Sequence, residues 1–567
     1  MYWQQLEKLL IRSARSARKT VFFAALFCVP QAASAQTLNE GFAAMEQRDF
    51  FTAFTAMRRL EQAGDPLAAQ LLEQVFLTPS STTVAARPAS SGVYARPAAQ
   101  SVRSAPASSP RPDARPKMQS MPVALRPAPR TVPEARDMAL PMPPHPLPAP
   151  LQEADFRNPD ADLVRIGQNL FFDPILSGNK DTSCATCHHP RHASGDGVSL
   201  GIGTGAQGLG PERIAMGENA ATRRIPRNAP ALWNLGARDV RVLFHDGRLE
   251  LDPVHPDRLL SPQGPLDYLA LESIIAAQAL FPLLSAEEMS GRAGENAIAD
   301  AVSEDRVHGD DGAWAIIAAR VDVIPEYRAA FDALRGASRP VAIEDIANAI
   351  AAFIETEFRA DQSPFDHYLR EMGSLAPEAG EGMRLFYGRA NCAACHSGPL
   401  LSDQRFHAMG QPPLGPGKER DEEGYTRDLG RGAVTLSVDD AYRFRTPMLR
   451  NVAHTGPWGH SGAFSDLRDF LRHHLDPVAG LAAYAPQAIL PALAERQDDY
   501  AALESAKQRA EISRAAARSM AKRPLVVLQD DEIDFLIAFL EALTDETALK
   551  GRLGVPATVP SGLEVAN

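Results

Sequence analysis

Two short stretches of the sequence carry the same residue types at the same spacing, Cys-x-x-Cys-His. The first lies at 184–188 and reads CATCH, and the second lies at 392–396 and reads CAACH. Covalent haem attachment needs two thiols that reach the vinyl groups of the porphyrin and a histidine that binds its iron. One helical turn with this spacing supplies all three groups.

The rest of the sequence favours haem over a zinc site or a redox dithiol. Zinc needs four ligands drawn from paired motifs, and a thioredoxin-like dithiol needs a βαβ setting, for which the strand pattern is lacking. Of five cysteines, Cys28 lies in an N-terminal apolar segment and the other four belong to the two motifs, so none remains for a long-range disulfide. We therefore predict two covalently bound haem c groups with these attachment residues and iron ligands: Cys184, Cys187 and His188 for the first, and Cys392, Cys395 and His396 for the second.

The N-terminus is typical of an export signal. Basic residues precede an apolar run at 21–29, and Ala-Ser-Ala at 33–35 offers small residues for cleavage. Because the apolar run is too short to span a bilayer, we predict a signal peptide over 1–35 and a periplasmic protein without a membrane span after cleavage. The formal net charge of −12 argues against a nucleic-acid partner.

Composition divides the remaining chain into segments. Residues 36–77 have helical spacing and are weakly similar to one Sel1-type tetratricopeptide repeat; a lone amphipathic helix pair is the alternative. Residues 78–150 are rich in Pro, Ala and Ser, which predicts a disordered linker. The rest is predicted to be mainly α, with amphipathic helices at 342–358 and 531–543. We expect these further divisions: a first haem domain at 151–375, a second at 376–550 and a tail at 551–567.

Several blocks between residues 152 and 546 resemble the bacterial dihaem cytochrome c peroxidase and MauG family, in the family's order. They are LFFDPILSG, RNAPALWN, AAQALFPLLSAEEM, GRANCAACHSG and FRTPMLRNVAHTGPWGHSGAF. The resemblance implies two cytochrome c-like haem domains. It also implies that the first haem reacts with hydrogen peroxide and that the second passes electrons to it.

The resemblance places the peroxide site at Glu288, Gln278 and Pro282. A haem that reacts with peroxide needs an open coordination position and a nearby acid/base group. Glu288 matches the family's catalytic glutamate, and Gln278 and Pro282 match residues that line the same pocket. Without the family blocks, Glu287 and Glu288 would be interpreted as an exposed helix start.

The loop after the first motif departs from the pattern of the typical peroxidases. Those proteins carry a histidine there that caps the first iron, whereas the loop GIGTGAQG in this chain has none. The first haem is therefore expected to be open at rest, as the resemblance to the MauG branch implies. His189 and His192 are expected at the surface of the attachment loop.

The second iron is expected to have His474 as its sixth ligand. A helix beginning near Ser465 would place His474 on its apolar face and His473 elsewhere. At this position the family's peroxidases have methionine and MauG has tyrosine, so histidine predicts a lower potential than in the methionine-ligated relatives. A hydrogen-bonded core histidine is the alternative, and Met409 and Met448 are weaker ligand candidates.

Two further features concern the region between the haems. The family's Phe-Trp-Asp-Gly-Arg reads Phe-His-Asp-Gly-Arg here, which places His245 at the position of the relay tryptophan. Imidazole is harder to oxidise than indole. Electrons would therefore have to pass between the haems by direct tunnelling or by a route through Trp233 or Trp458. Three residues match the family's calcium position, where oxygen ligands suit that ion: Asn228, Thr455 and Pro457.

Three functions fit these observations. The first is an exported dihaem peroxidase that reduces hydrogen peroxide with electrons from a small donor cytochrome or cupredoxin. The second is a MauG-like enzyme that uses peroxide to oxidise a protein side chain. The third is an electron carrier without catalytic activity, which would have a sixth ligand at both irons and no role for Glu288.

Overall fold

A computed structural model describes residues 145–566, apart from 256–257, 265, 421–425, 494–505, 522 and 524–525. The predicted signal peptide, the predicted helical hairpin and nearly all of the predicted linker lie outside the described residues. Within the described part, every helix is too short or too polar to cross a membrane.

The described chain is mainly helical, as the sequence predicts. Its α-helices are α1 (Ala161–Phe172), α2 (Cys184–Cys187), α3 (Ile274–Ala279), α4 (Ala297–Ser303), α5 (Ala313–Asp322), α6 (Pro325–Arg335), α7 (Ile343–Glu357), α8 (Pro364–Leu369), α9 (Pro377–Tyr387), α10 (Arg431–Thr435), α11 (Leu467–Leu475), α12 (Pro477–Ala483), α13 (Ala506–Met520), α14 (Asp530–Glu541) and α15 (Glu546–Leu549). The two predicted amphipathic helices are confirmed as α7 and α14.

The strands in the described residues are two or three residues long and form small antiparallel ladders. They are β1 (Ala206–Gln207), β2 (Ile214–Ala215), β3 (Val242–Leu243), β4 (Leu249–Leu251), β5 (Leu259–Leu260), β6 (Phe406–His407), β7 (Glu419–Arg420), β8 (Thr426–Arg427) and β9 (Phe444–Arg445). The pairs are β1 with β2, β3 with β4 and β4 with β5, β6 with β9, and β7 with β8. Such short ladders fix loops and leave the apolar core to the helices.

Two large apolar cores lie along the chain. The first is built mostly from residues 151–360, here called the first unit, and the second from residues 365–543, here called the second unit. The last described residues do not extend away from the molecule, because Val559 and Val565 are buried in the first core. The segment predicted as a tail therefore crosses back and packs on the first unit.

Each unit is built on one pair of closely packed helices. In the first unit α1 crosses α7 at Gly167, where an added Cβ would lie 1.8 Å from the carbonyl oxygen of Ala349. In the second unit α9 crosses α14 at Gly382, where an added Cβ would lie 1.8 Å from the carbonyl oxygen of Phe535. Glycine is thus required at both crossings, because the backbones touch there.

Candidate functional site

The first Cys-x-x-Cys-His motif forms one helical turn, α2, and its histidine follows directly. The Nδ1–H of His188 donates to the carbonyl of Ser194 at 3.0 Å. Because a carbonyl only accepts, the lone pair of this imidazole lies on Nε2, where it can bind a metal. Burial lowers the pKa of His188 and raises the pKa of Cys184 and of Cys187 to about 12, so all three groups are neutral at pH 7.

The second motif forms a 3₁₀ turn, Cys392–Ala394, and repeats this arrangement. The Nδ1–H of His396 donates to the carbonyl of Leu401 at 3.1 Å, which again leaves the Nε2 lone pair for a metal. Burial raises the pKa of Cys392 to about 12. The pKa of Cys395 is instead lowered, because hydrogen bonds from His407 and Arg523 outweigh its burial.

The second motif opens into a cavity of about 290 Å³ that is also lined by His474 from α11. The Nδ1–H of His474 donates to the carbonyl of Phe470 at 3.0 Å, so its lone pair too lies on Nε2. Its neighbour His473 is buried elsewhere and donates Nε2–H to the carbonyl of Met409 at 2.7 Å. One cavity therefore holds two thiols and two imidazoles that are suited to bind a metal, which fits a haem with a histidine on each face.

The same cavity is lined by other residues that the sequence analysis singled out: Met409, Met448, Trp233, His245, Trp458, Asn228, Thr455 and Pro457. The Asn228 side chain donates to the carbonyl of Val198 at 2.8 Å, and the Thr455 hydroxyl donates to that of Val452 at 3.2 Å. The oxygens of these three calcium candidates are neutral, without a carboxylate among them. They fit a weakly held cation at most.

Glu288 lies in the first unit, on a single π-helical turn, Ala286–Ser290, where its own amide donates to the Ser285 hydroxyl. Its side chain is half-buried, and burial raises the pKa of its carboxyl, an effect that the nearby charges of Arg248 and Lys418 partly offset. The charge of Glu288 in turn contributes to the raised pKa of Cys187, so the carboxyl lies near the first motif.

The neighbouring Glu287 differs from Glu288, because it forms an ion pair with the more exposed Arg223 at 3.4 Å. Gln278 lies on α3 and Pro282 begins the 3₁₀ turn Pro282–Leu284, which contacts both α3 and the turn that carries Glu288. The structure therefore brings Gln278, Pro282 and Glu288 into contiguous segments.

The loop GIGTGAQG packs directly on the turn that carries Glu288. The amide of Thr204 donates to the carbonyl of Glu288 at 2.9 Å, and a Cβ at Gly203 would lie 2.2 Å from that carbonyl oxygen. The close approach explains the glycine at this position. The expectation that His189 is a surface residue is wrong: it is 3% exposed and packs edge-on against Phe172.

Sequence reasoning missed a buried ion network that joins the two units. Arg227 donates to both carboxylate oxygens of Asp428 at 2.7 Å and to Asp246 at 2.6 Å. Arg248 and Lys418 approach Asp246 at 3.1 and 4.0 Å. Asp246 and Arg248 belong to a block that the sequence analysis singled out, but no local pattern identifies Asp428 or Lys418 as their partners.

His245, at the position of the relay tryptophan, borders this network. Its Nε2–H donates to the carbonyl of Asn228 at 3.0 Å. Burial and the nearby Arg227 charge lower the pKa of His245 to about 3, so the ring is neutral. Trp233 and Trp458 each donate their indole N–H to a backbone carbonyl at 2.9 Å.

The comparisons with known proteins agree with this arrangement. A family model described as di-haem cytochrome c peroxidase matches residues 161–374. The cytochrome-c peroxidase IdrP1 of Denitromonas iodatirespirans is 30% identical over 328 residues, which cover 54% of this chain and 70% of that protein. The methylamine utilization protein MauG of Methylorubrum extorquens is 29% identical over 337 residues, or 57% and 74% of the two chains. MauG of Paracoccus denitrificans is 28% identical over 423 residues, or 69% and 90%.

These relatives and the two haem-binding motifs lead to one assignment of family and of chemical class. The chain belongs to the dihaem cytochrome c peroxidase and MauG family, and it is an oxidoreductase of the dihaem peroxidase type.

Proposed function

We propose that this protein is an exported, periplasmic dihaem c-type peroxidase that reduces hydrogen peroxide with electrons from a small donor cytochrome or cupredoxin. One observation carries the proposal. The two Cys-x-x-Cys-His motifs have different partners, because a protonatable carboxyl, Glu288, lies near the first and an imidazole, His474, shares the cavity of the second. Family membership favours an enzyme over the electron-carrier interpretation.

The cysteine pairs would hold the haems through thioether bonds, with His188 as iron ligand in the first unit and with His396 and His474 in the second. When bound, the haems supply peroxide activation at the first unit and one-electron transfer at the second. The bond from each Nδ1–H to a backbone carbonyl fixes the ring and raises the donor strength of its Nε2.

Glu288 is proposed to move the proton of the peroxide. Its raised pKa suits it to take a proton from one peroxide oxygen and return it to the other, which then leaves as water. Arg248 and Lys418 provide positive charge where negative charge develops during O–O cleavage. Gln278 and Pro282 are proposed to shape the pocket around the peroxide.

A MauG-like reaction, in which a protein side chain supplies the electrons, is the second candidate. The loop that packs on Glu288 carries no histidine to cap the first iron, and this favours a site that is open without prior reduction. We also propose that Asn228, Thr455 and Pro457 weakly hold a calcium ion, since all three residues line one cavity.

The test of the proposed function is peroxide turnover by the Glu288→Gln variant, with Glu287→Gln as the matched control. We expect kcat/KM for peroxide to fall by about 10²–10⁴-fold in Glu288→Gln, because the amide cannot carry the proton. The control should keep its activity, since Glu287 faces Arg223. Equal turnover by the two variants would exclude Glu288 as the acid/base group.

A further inference from the structure

Three side chains of the first unit form a connected cluster that belongs neither to the proposed peroxide site nor to the cavity of the second unit. Tyr268 is 61% exposed, and its hydroxyl is hydrogen-bonded to Nδ1 of His308. The ring centroids of these two residues are 5.8 Å apart. The His308 ring packs edge-to-face on Trp314, with centroids 5.0 Å apart.

Trp314 connects this surface pair to the interior. It lies in the first turn of α5, is 3% exposed, and its indole N–H has no hydrogen-bond partner in the structure. It belongs to the same apolar core as Met289, the residue after Glu288, and Cys184 packs against that core. The cluster therefore joins the exposed Tyr268 to the same apolar core against which Cys184 packs.

The chemistry of the cluster suits one-electron oxidation. A phenol loses an electron readily only when its proton leaves at the same time. Nδ1 of His308 is hydrogen-bonded to the phenol and takes that proton when the imidazole carries its own proton on Nε2. An indole can be oxidised without a base at hand. The phenol, which needs a base to be oxidised, is thus next to the imidazole that can act as that base. The indole, which needs no base, packs against the same imidazole.

We propose that Tyr268, His308 and Trp314 form a second electron entry route, through which the first unit oxidises phenols or aromatic amines at the protein surface. The route rests on the proposed function, because hydrogen peroxide is its oxidant. An electron passes from Tyr268 through Trp314 towards the first haem, while the phenolic proton moves to His308. The resulting tyrosyl radical takes one electron and one proton from a phenol in solvent, and His308 releases its proton.

Two such events balance the reaction. Two phenols each lose one electron and one proton and become phenoxyl radicals, and one hydrogen peroxide takes up both electrons and both protons to give two waters. The charges near the cluster favour a neutral or cationic reductant. Burial and the nearby Glu344 carboxylate raise the pKa of Tyr268, and the exposed Asp310 follows His308 by two residues.

The first test locates the radical. The holoprotein is mixed with hydrogen peroxide and the spin trap 2-methyl-2-nitrosopropane without donor, and adducts are mapped by peptide mass spectrometry. We expect an adduct on Tyr268 in the wild type and in the control Tyr368→Phe, and at least about 100-fold slower adduct formation in His308→Phe, which lacks the base. A wild-type protein without an adduct at Tyr268 would overturn the route.

The second test separates the route from the proposed function. Peroxide-driven oxidation of 2,6-dimethoxyphenol should fall to below about one tenth in Tyr268→Phe, while peroxide turnover with a reduced donor cytochrome stays unchanged. Full phenol oxidation by Tyr268→Phe would overturn the route and leave the proposed function standing. A wild type that consumes no peroxide with any donor would instead refute the proposed function, and the route would lose its oxidant with it.

Discussion

The two units share a scaffold and an attachment pattern. Both have a helix pair that crosses at a glycine, Gly167 in one and Gly382 in the other, with the same 1.8 Å constraint on an added Cβ. Both motif histidines, His188 and His396, donate Nδ1–H to a backbone carbonyl shortly after the motif. The scaffold therefore explains how two haems are held, but it gives no reason for them to react differently.

The difference lies in residues outside the motifs. Helix α11 brings His474 into the cavity of the second motif, whereas a π-helical turn brings Glu288 near the first. An imidazole lone pair can occupy the open coordination position of an iron, whereas a carboxyl with a raised pKa can transfer protons. The proposed division of electron supply and peroxide reduction between the two units rests on this difference.

Some buried carboxyls of the first unit have a raised pKa, which neither Asp403 nor Asp428 of the second unit has. At Asp196 and Glu355 of the first unit burial dominates and raises the pKa of each carboxyl to about 7. Asp246 of the same unit is also buried, but Arg227, Arg248 and Lys418 outweigh its burial and lower its pKa. In the second unit hydrogen bonds and cations outweigh burial and lower the pKa of Asp403 and of Asp428. The first unit therefore holds carboxyls that favour the neutral form, which suits a proton-transfer site and makes its stability depend on pH.

The variant His474→Gly should have the largest effect on the difference between the two units, because it removes the proposed sixth ligand of the second iron. We expect the low-spin electron paramagnetic resonance signal of the oxidised protein to change entirely to high-spin, and turnover with a donor cytochrome to fall at least about tenfold. His473→Gln is the control, since that side chain bonds to Met409 and glutamine can still donate. A low-spin signal that survives in His474→Gly would mean that another residue binds the second iron.

The variant Arg450→Met should destabilise the second unit strongly. Arg450 and Asp366 are both fully buried, with Nη2 and Oδ1 2.6 Å apart. Removing the cation leaves the carboxylate buried without its charge partner, which costs about 3–5 kcal/mol of unfolding free energy. Chemical denaturation would measure this loss. The control Arg472→Met breaks the exposed pair with Asp530 and should cost no more than about 1 kcal/mol.

The paired variants Gly167→Ala and Gly382→Ala test whether the two scaffolds are equivalent. In each, the new methyl group would collide with a backbone carbonyl of the facing helix, and such overpacking costs about 1–3 kcal/mol. Equal losses in thermal unfolding would support equivalent helix crossings. Gly380→Ala on α9 is the control, because an added Cβ meets no atom within 4 Å there. Alanine favours a helix over glycine, so this variant should be slightly more stable than the wild type.

The sequence predicts those parts of the molecule that depend on local patterns. Helices α7 and α14 follow from the spacing of their apolar residues, and the placement of His474 on the inner face of α11 follows from the same rule. The turns at the two motifs follow from the Cys-x-x-Cys-His spacing, which is typical of haem attachment. In each case residues within a few turns of one another decide the structure.

Contacts between distant segments could not be predicted in this way. Asp428 is hydrogen-bonded to Arg227, 201 positions away in the sequence. Val559 is buried in the first core because the chain turns back onto the first unit, and the local composition does not predict that turn. His189 reads as a polar loop residue, but the packing of Phe172 buries it. Tertiary packing decides these positions, so only the folded chain reveals them.

The smallest expected effect comes from Glu355→Gln, which tests the electrostatic difference between the units. Glu355 is 6% exposed, and burial raises its pKa to about 7 in the folded state, above the unfolded value of about 4.3. A raised folded pKa adds stability that is fully present below the unfolded pKa and is lost as pH rises through the folded one. The unfolding free energy of the variant relative to the wild type should therefore rise by about 1–3 kcal/mol between pH 4 and pH 8, because only the wild-type carboxyl has to ionise in the folded state. Denaturant titrations at both pH values measure the difference, with exposed Glu326→Gln as control; a gain equal at both pH values would show that packing, rather than the charge of Glu355, is responsible.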